Sequence, residues 1–433
     1  MANDPEGPQR SKEATEGDQL VTFRSLFSLR EFRAIYASML ISWVGDYLTR
    51  AAVTVLIYQQ TRSVLLSAIS FAIGYLPWIT LGPVLSALGD RYPYRRVMVV
   101  SDLFRMALTG VLLIPGLPTA VTLLVVLLAS LGAPPAQAAR SALMPLVVGR
   151  ERLTLALATT TTSGQIAQVI GYLAGAALAV SLSPRLALSL DVGTFALSAL
   201  LIATCVRVRP AGVAPERRRH LLRETAEGFQ LVFGSPVLRA IAIVVFTTIA
   251  FSVVPESLAA SWAAEATPDG IPQGLEQGLI MAAGPFGIVV GGLLFSRLVP
   301  DERRWRLVPL LAVATPLVLT PTLAGPPATV VAALVALSGM AQGAGLPSLN
   351  ASFALVLPAS HRARAFGVMT SGIQASQFLA VLINGVLSER FRIPLVVGLW
   401  SVAGTVLMIL VATRWPDRGK LSAANSAAAP LAT

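Results

Sequence analysis

Twelve apolar runs of roughly twenty residues divide this sequence, and they limit its fold more than any other feature. A helix of about 20 residues crosses the hydrocarbon core of a bilayer, where each unpaired backbone amide costs several kcal/mol. No alternating strand pattern accompanies the runs, so we expect helices rather than a barrel. The sequence predicts an all-α integral membrane protein with twelve transmembrane helices. The predicted spans are 32–58, 65–88, 97–114, 119–139, 153–182, 186–206, 240–262, 279–298, 307–323, 329–357, 366–387 and 393–413.

The composition excludes several other classes of protein. Only 13% of the residues are charged and 55% are hydrophobic, whereas a soluble domain carries about 25% charged residues. One cysteine, Cys205, and two histidines, His220 and His361, provide neither a disulfide framework nor a metal site. We therefore expect no metal and no cofactor. The sequence lacks clustered histidines, paired acids at catalytic spacing and a Walker motif, so we predict a protein that is not an enzyme.

The basic residues predict the orientation in the membrane. Of the 33 lysines and arginines, 27 fall in segments on the side of the amino terminus and four fall in loops on the opposite side. By the positive-inside rule, both termini face the cytosol of a multi-pass protein in the cell membrane. The net charge of +11 is spread between apolar runs without an aromatic-interleaved basic patch, so we predict no nucleic-acid partner.

A polar linker divides an internal repeat. The segment Phe27 to Ile35 before the first span recurs as Phe233 to Ile241 before the seventh, each with an Arg-Ala-Ile ending. The linker contains a basic amphipathic segment of the kind that lies along a membrane surface. We predict two pseudo-symmetric six-helix halves. The predicted divisions are a cytosolic tail (1–31), an amino-terminal half (32–206), a linker (207–239), a carboxyl-terminal half (240–413) and a second cytosolic tail (414–433).

Four motifs occur in a characteristic order: Gly89-Asp90-Arg91 with Arg95-Arg96, Asp102-Leu-Phe-Arg105, Pro135 to Pro145 around Arg140, and Asp191-Val-Gly-Thr-Phe195. Together they resemble a major facilitator superfamily transporter, and most of all the branch that contains bacterial siderophore and macrolide exporters. In the fifth span Tyr172 follows Gly171, where proton-coupled exporters of the superfamily often carry proline.

The resemblance implies a secondary active transporter that works by alternating access around a site between its halves. We expect proton-coupled export of a small amphipathic molecule such as a drug, a siderophore or a natural product. The alternatives are an uptake or lipid carrier of the same fold and, in another class, a non-transporting membrane sensor or scaffold. The expected partners are the small-molecule substrate, protons and membrane lipids, and we expect a monomer.

Two acids are the predicted proton-coupling residues because ionisable groups inside a membrane are expensive. Asp46 lies 13 residues beyond Arg33, about 20 Å into its span, and Arg50 follows one turn later, where the two side chains can pair. The alternative is a permanent structural ion pair. Glu256 follows Pro255 and has no arginine on its own span, which favours it as the proton carrier. The alternative is a residue at the outer interface.

Two further groups of residues complete the predicted site. A cytosolic gate is predicted from Asp90, Arg91, Arg95, Arg96, Asp102 and Arg105. Within it, we expect Asp102 and Arg105 to form a structural gate pair, and the alternative is a direct role in transport. Aromatic and amide side chains on several spans either line a substrate cavity or bond helices together. The predicted cavity residues are Trp43, Tyr47, Gln165, Gln168, Gln342, Gln374 and Gln377. Asp191 is expected mainly to maintain the fold.

Overall fold

The computed structural model describes residues 22–82, 92–209, 221–265, 271–357, 362–416 and 419, and the regular structure over these ranges is helical. The long seventh helix is broken at Gly149, whose φ of 75° is a left-handed conformation that glycine adopts without steric cost. The helices of the amino-terminal half are α1 (Phe23–Phe27), α2 (Arg30–Thr61), α3 (Val64–Ala72), α4 (Leu76–Thr80), α5 (Tyr94–Val111), α6 (Thr119–Ser130), α7 (Ala133–Ser181) and α8 (Pro184–Cys205).

The carboxyl-terminal half begins after a linker helix, and serine caps mark several helix starts. Ser235 accepts a hydrogen bond from the amide of Leu238, while Pro236 occupies the first helical position, where its missing N–H costs nothing. The helices are α9 (Leu221–Gly234), α10 (Pro236–Ser252), α11 (Val254–Glu265), α12 (Gln273–Leu298), α13 (Asp301–Leu317), α14 (Ala328–Val356), α15 (Arg362–Ser388) and α16 (Ile393–Ala412).

The structure confirms an all-α membrane protein and accounts for most of the predicted spans. Within the described ranges, ten helices are long and apolar enough to cross a bilayer. The predicted second and third spans fall on shorter or more polar helices. The described part of the second span is the apolar stretch Val64–Thr80, and its residues 83–88 lie outside the described ranges. The third is α5, which carries Asp102 and Arg105 together with Arg95 and Arg96.

Helix α2 packs tightly on the part of α7 that follows the break at Gly149, because glycine allows close approach. A methyl group added at Gly171 would lie 2.7 Å from the carbonyl oxygen of Val44, and one at Gly175 would lie 2.6 Å from that of Leu48. The close contact fixes the rotation of α2. It therefore determines which way the ionisable side chains of α2 point.

The two halves meet at the end of the bundle away from the linker, which we call the distal end. Glu389, at the end of α15, accepts hydrogen bonds from Ser63 Oγ at 2.6 Å and from the amide of Leu65 at 2.8 Å. Tyr58 donates to Glu265 Oε1 at 3.0 Å. We call these five residues the distal clasp. Each of its bonds joins a donor of the amino-terminal half to a carboxylate of the other half.

Candidate functional site

A central cavity of about 360 Å³ lies between the two halves. Its size falls in the range of small-molecule sites, and its lining is rich in hydrogen-bonding side chains. Six of the seven predicted cavity residues surround it, whereas Trp43 lies elsewhere. The polar and charged lining residues are Tyr47, Arg50, Tyr75, Gln165, Gln168, Ser252, Glu256, Gln342, Gln374 and Gln377.

Glu256 lies on the wall of this cavity and not at an outer interface. It occupies the first turn of α11, immediately after the break that separates α11 from α10. Tyr172 donates a hydrogen bond to Glu256 Oε1 at 2.5 Å, and Gln168 Nε2 donates to the same oxygen at 3.3 Å. Both donors come from α7, so this carboxylate of one half is held by the other half.

The predicted ion pair between Asp46 and Arg50 is wrong. The carboxylate of Asp46 pairs with Arg105 of α5. Arg50 points instead towards α3 and the turn that follows it. Its guanidinium carbon lies 5.1 Å from the ring centre of Phe71 and 5.3 Å from that of Tyr75. Spacing of four residues permits the pair on an isolated helix. The neighbouring helices offer each side chain a different partner.

Asp46 and Arg105 line a second cavity of about 200 Å³, which we call the amino-half cavity. Its lining comes only from the amino-terminal half, and it includes Trp43 and Asp191. Tyr47 and Arg50 line both cavities, so these two side chains stand between the two spaces. The polar and aromatic lining residues are Trp43, Asp46, Tyr47, Thr49, Arg50, Ser70, Phe71, Trp78, Arg105, Thr109, Ser130, Asp191 and Phe195.

The four predicted gate residues that the structure describes do not form one cluster. The expected pair of Asp102 with Arg105 is wrong, because Asp102 accepts a hydrogen bond from Ser198 Oγ at 2.6 Å while Arg105 turns to Asp46. Arg95 donates to the carbonyl oxygen of Ala203, and Arg96 is exposed. Asp90 and Arg91 lie outside the described residues, so their gating role stays a prediction.

Two buried residues beside the site, Tyr172 and Arg140, were not among the predicted site residues. Tyr172 donates a hydrogen bond to Glu256. The feature of the sequence that could have indicated this residue is its position directly after Gly171. Arg140 is only 6% exposed, and its guanidinium carbon lies 5.9 Å from the ring centre of Trp43. The predicted fourth span ended one residue before Arg140, whereas the apolar helix runs on to Gly149. Asp191 was considered for the fold and proves to line the amino-half cavity.

The sequence profile of the Major Facilitator Superfamily matches residues 35–324 and 272–432, which together cover most of the chain. The chain belongs to the Major Facilitator Superfamily. The helical halves and the cavity between them agree with this membership.

Curated members of the superfamily that resemble this chain are efflux proteins. The multidrug efflux pump Tap of Mycolicibacterium fortuitum is 27% identical over 369 residues, 82% of this chain and 88% of Tap. Macrolide efflux protein A of Streptococcus pyogenes is 25% identical over 222 residues, 49% of this chain and 54% of that protein. The chain thus spans about half the length of the macrolide efflux protein. The enterobactin exporter EntS of Shigella boydii is 28% identical over 288 residues, 63% of this chain and 64% of EntS.

Solved structures of other transporters share the fold. A peptide transporter, POT, in complex with sulfate superimposes with a TM-score of 0.69 at 14% identity, over 96% of this chain and 99% of that chain. The nucleoside transporter NupG superimposes with a TM-score of 0.66 at 14% identity, over 88% of this chain and 98% of that chain. At such identities the likeness concerns the fold alone.

Proposed function

We propose that this transporter exports a small amphipathic molecule by alternating access and exchanges it for protons that bind at Glu256. The observation that carries the proposal is the position of Glu256, a membrane carboxylate of one half held by Tyr172 and Gln168 of the other half on the wall of the central cavity. The named relatives are a macrolide efflux protein, a multidrug efflux pump and an enterobactin exporter, which supports the outward direction.

The position of Glu256 suits a coupling acid for a physical reason. A coupled acid must bind a proton from one side of the membrane and release it to the other, so its surroundings must change with conformation. Separation of the halves would take Glu256 away from Tyr172 and Gln168. A carboxylate that loses two hydrogen-bond donors binds its proton with a different affinity. The affinity of Glu256 for a proton would therefore change with the arrangement of the halves.

The distal clasp supports a cavity that opens towards the linker end in this conformation. Its hydrogen bonds join the halves beyond the cavity, and Gln277 of α12 adds a bond to the carbonyl oxygen of Ala51 at 3.3 Å. With the orientation that the positive-inside rule gives, the linker end faces the cytosol. A cytosolic molecule would then enter the cavity while the external side is closed.

Transport in liposomes tests the proposal. Purified protein is reconstituted with an imposed pH gradient, and accumulation of labelled erythromycin and enterobactin is measured beside exchange without a gradient. We expect wild-type protein to concentrate at least one probe against its gradient. Glu256→Gln should reduce that accumulation at least about tenfold and retain exchange, because only the proton site is lost. Asp46→Asn should impair both activities.

The matched control is Glu302→Gln, which removes an exposed acid at the start of α13. This variant should behave as wild type. Gradient-driven accumulation that survives in Glu256→Gln would show that Glu256 is not the coupling residue. Accumulation driven by protons in the inward direction would support an uptake carrier and overturn export.

A further inference from the structure

We propose that Arg105 is a switch that pairs with Asp46 in this conformation and with Asp191 once Asp46 has taken up a proton. The inference rests on the proposed function only for proton coupling, to which it adds Asp46 as a second proton-binding acid beside Glu256. The exchange of partners itself is a property of the amino-half cavity. In this arrangement Arg105 acts as a positioning residue, because its ion-pair partner depends on the charge of Asp46.

The geometry places Arg105 between the two carboxylates. Asp191 and Phe195 are one turn apart on α8, so their side chains share a face of that helix. The guanidinium carbon of Arg105 lies 4.5 Å from the ring centre of Phe195, next to that face. Asp191 in turn packs against α2 at Gly45, where an added methyl group would collide with its carboxylate. Asp46 is the next residue of α2, so the three charged groups meet around one cavity.

The two carboxylates differ in access to water. The side chain of Asp46 is 27% exposed, whereas Asp191 is 1% exposed. Asp191 accepts hydrogen bonds from Thr49 Oγ1 at 2.6 Å and from Thr194 Oγ1 at 2.8 Å, and no arginine of the described residues lies within ion-pair distance of it. Asp46 is therefore the acid that a proton reaches from the cavity. Asp191 is held as a hydrogen-bond acceptor, in place to receive a cation.

Arg105 has a donor free for a second partner. Its Nε is buried and has no hydrogen-bond partner, although an unpaired buried donor is costly. When Asp46 becomes neutral, its attraction for Arg105 falls, and a buried cation without an anion is unfavourable. Asp191 lines the same cavity, and an ion pair between Arg105 and Asp191 would remove that cost. The ring face of Phe195 would stay in contact with the guanidinium while Arg105 moves from Asp46 to Asp191.

The other charged groups near the cavity contact different residues, although the buried Nε of Arg140 also lacks a hydrogen-bond partner. Asp102 accepts a hydrogen bond from Ser198, and Arg140 lies beside Trp43 with its Nη1 3.4 Å from Gln137 Oε1. Arg50 lies among the rings of Tyr47, Phe71 and Tyr75. Arg105 is thus the cation placed to move between two acids, and its movement would transmit protonation of Asp46 from α2 to α8.

A double-mutant cycle tests the exchange without any transported substrate. The thermal midpoint of the full-length protein in lipid nanodiscs is measured at pH 7.5 for Asp46→Asn, Asp191→Asn and the double variant. We expect each single variant to lose little, because the other acid still pairs with Arg105. The double variant should lose about 5 °C or more beyond the sum of the singles, since Arg105 then has no partner. Glu302→Gln, added to each single variant, is the control and should be additive.

A structure of the Asp46→Asn protein decides the matter directly and needs no double variant. We expect Arg105 within about 3.5 Å of a carboxylate oxygen of Asp191. Additive losses in the cycle, or an Arg105 that stays beside residue 46 in Asp46→Asn, would overturn the switch and leave Asp191 a purely structural acid. Since neither measurement involves transport, the switch and the export proposal can fail separately.

Discussion

In the amino-terminal half, helix α2 meets α5 and α8 through ionisable side chains, whereas helices α12 and α14 of the carboxyl-terminal half meet through glycine. Asp46 pairs with Arg105 across α2 and α5, and Asp191 of α8 lies against α2 at Gly45. Across α12 and α14, methyl groups at Gly291 and Gly343 would collide with the backbone of the opposite helix. These two sets of helix contacts, one in each half, therefore use different interactions, although α2 also packs on α7 through glycine.

The difference suggests that one half is rigid at the cavity and that the other half can rearrange there. Close backbone packing has one good arrangement, because any sliding creates collisions or voids. An ion pair beside a cavity has alternatives, since a proton or a second acid changes which contacts are favourable. We infer that the glycine-packed pair is the rigid wall of the central cavity. On the amino-terminal side α2 brings Tyr47 and Arg50 to the same cavity, and we infer that its ionisable side chains make this wall adjustable. Glu256 is the acid that the carboxyl-terminal half presents to α7 across the cavity.

Loss of Arg105 should have the largest effect on stability. In Arg105→Met, Asp46 and Asp191 face one cavity without their nearby cation, so we expect a loss of about 3 kcal/mol in the free energy of unfolding. Thermal unfolding in nanodiscs measures the change. Arg390→Gln, in the exposed turn before α16, is the control and should leave stability unchanged. A stable Arg105→Met protein would show that the amino-terminal half does not depend on its charges.

The glycine contact should be nearly as sensitive to a single methyl group. In Gly343→Ala the added group meets the carbonyl oxygen of Ile288, so α12 and α14 must separate, at a cost of about 2 kcal/mol. Gly345→Ala, two residues further along α14, meets nothing within 4 Å and should be neutral or slightly stabilising. Equal midpoints for the two variants would contradict a rigid, closely packed wall.

The distal clasp should give the smallest effect, one of population and pH. Hydrogen bonds from Ser63 and from the amide of Leu65 hold the pKa of Glu389 below its ordinary value of 4.5. The clasp therefore favours the closed distal end above pH 4.5, and that contribution is lost as the pH falls through the lowered pKa. Glu389→Gln should open the distal end about threefold more often at pH 7.5.

Distances between spin labels at Gln59 and Phe391 measure this opening, since both residues are exposed at the distal end. The labels are placed in a Cys205→Ser background, which removes the single native cysteine. Wild-type protein should gain the longer distance progressively as the pH falls below 4.5, and Glu389→Gln should show it at pH 7.5 as well. Glu302→Gln, a change at the opposite end, should follow wild type. A distance distribution that changes neither with pH nor with Glu389→Gln would contradict the proposed role of the distal clasp in closing this end.

Much of the fold could be predicted because its determinants are local in the chain. Apolar runs long enough to cross a bilayer predicted the helices, and the recurring Arg-Ala-Ile segments before spans one and seven predicted the two halves. The order of the four motifs indicated the superfamily, which the profile match then confirmed. These features depend on hydrophobicity and residue order, and they need no knowledge of which helix lies beside which.

The partners of the charged side chains were decided only by the tertiary structure. From spacing alone Asp46 should pair with Arg50, but glycine contacts with α7 fix the rotation of α2, so that Asp46 faces α5 and Arg50 faces the rings of α3. In the same way, Tyr172 meets Glu256 because α7 and α11 adjoin across the interface between the halves. A helix determines which residues share its face, whereas the choice among partners of similar chemistry depends on which neighbouring helix that face meets.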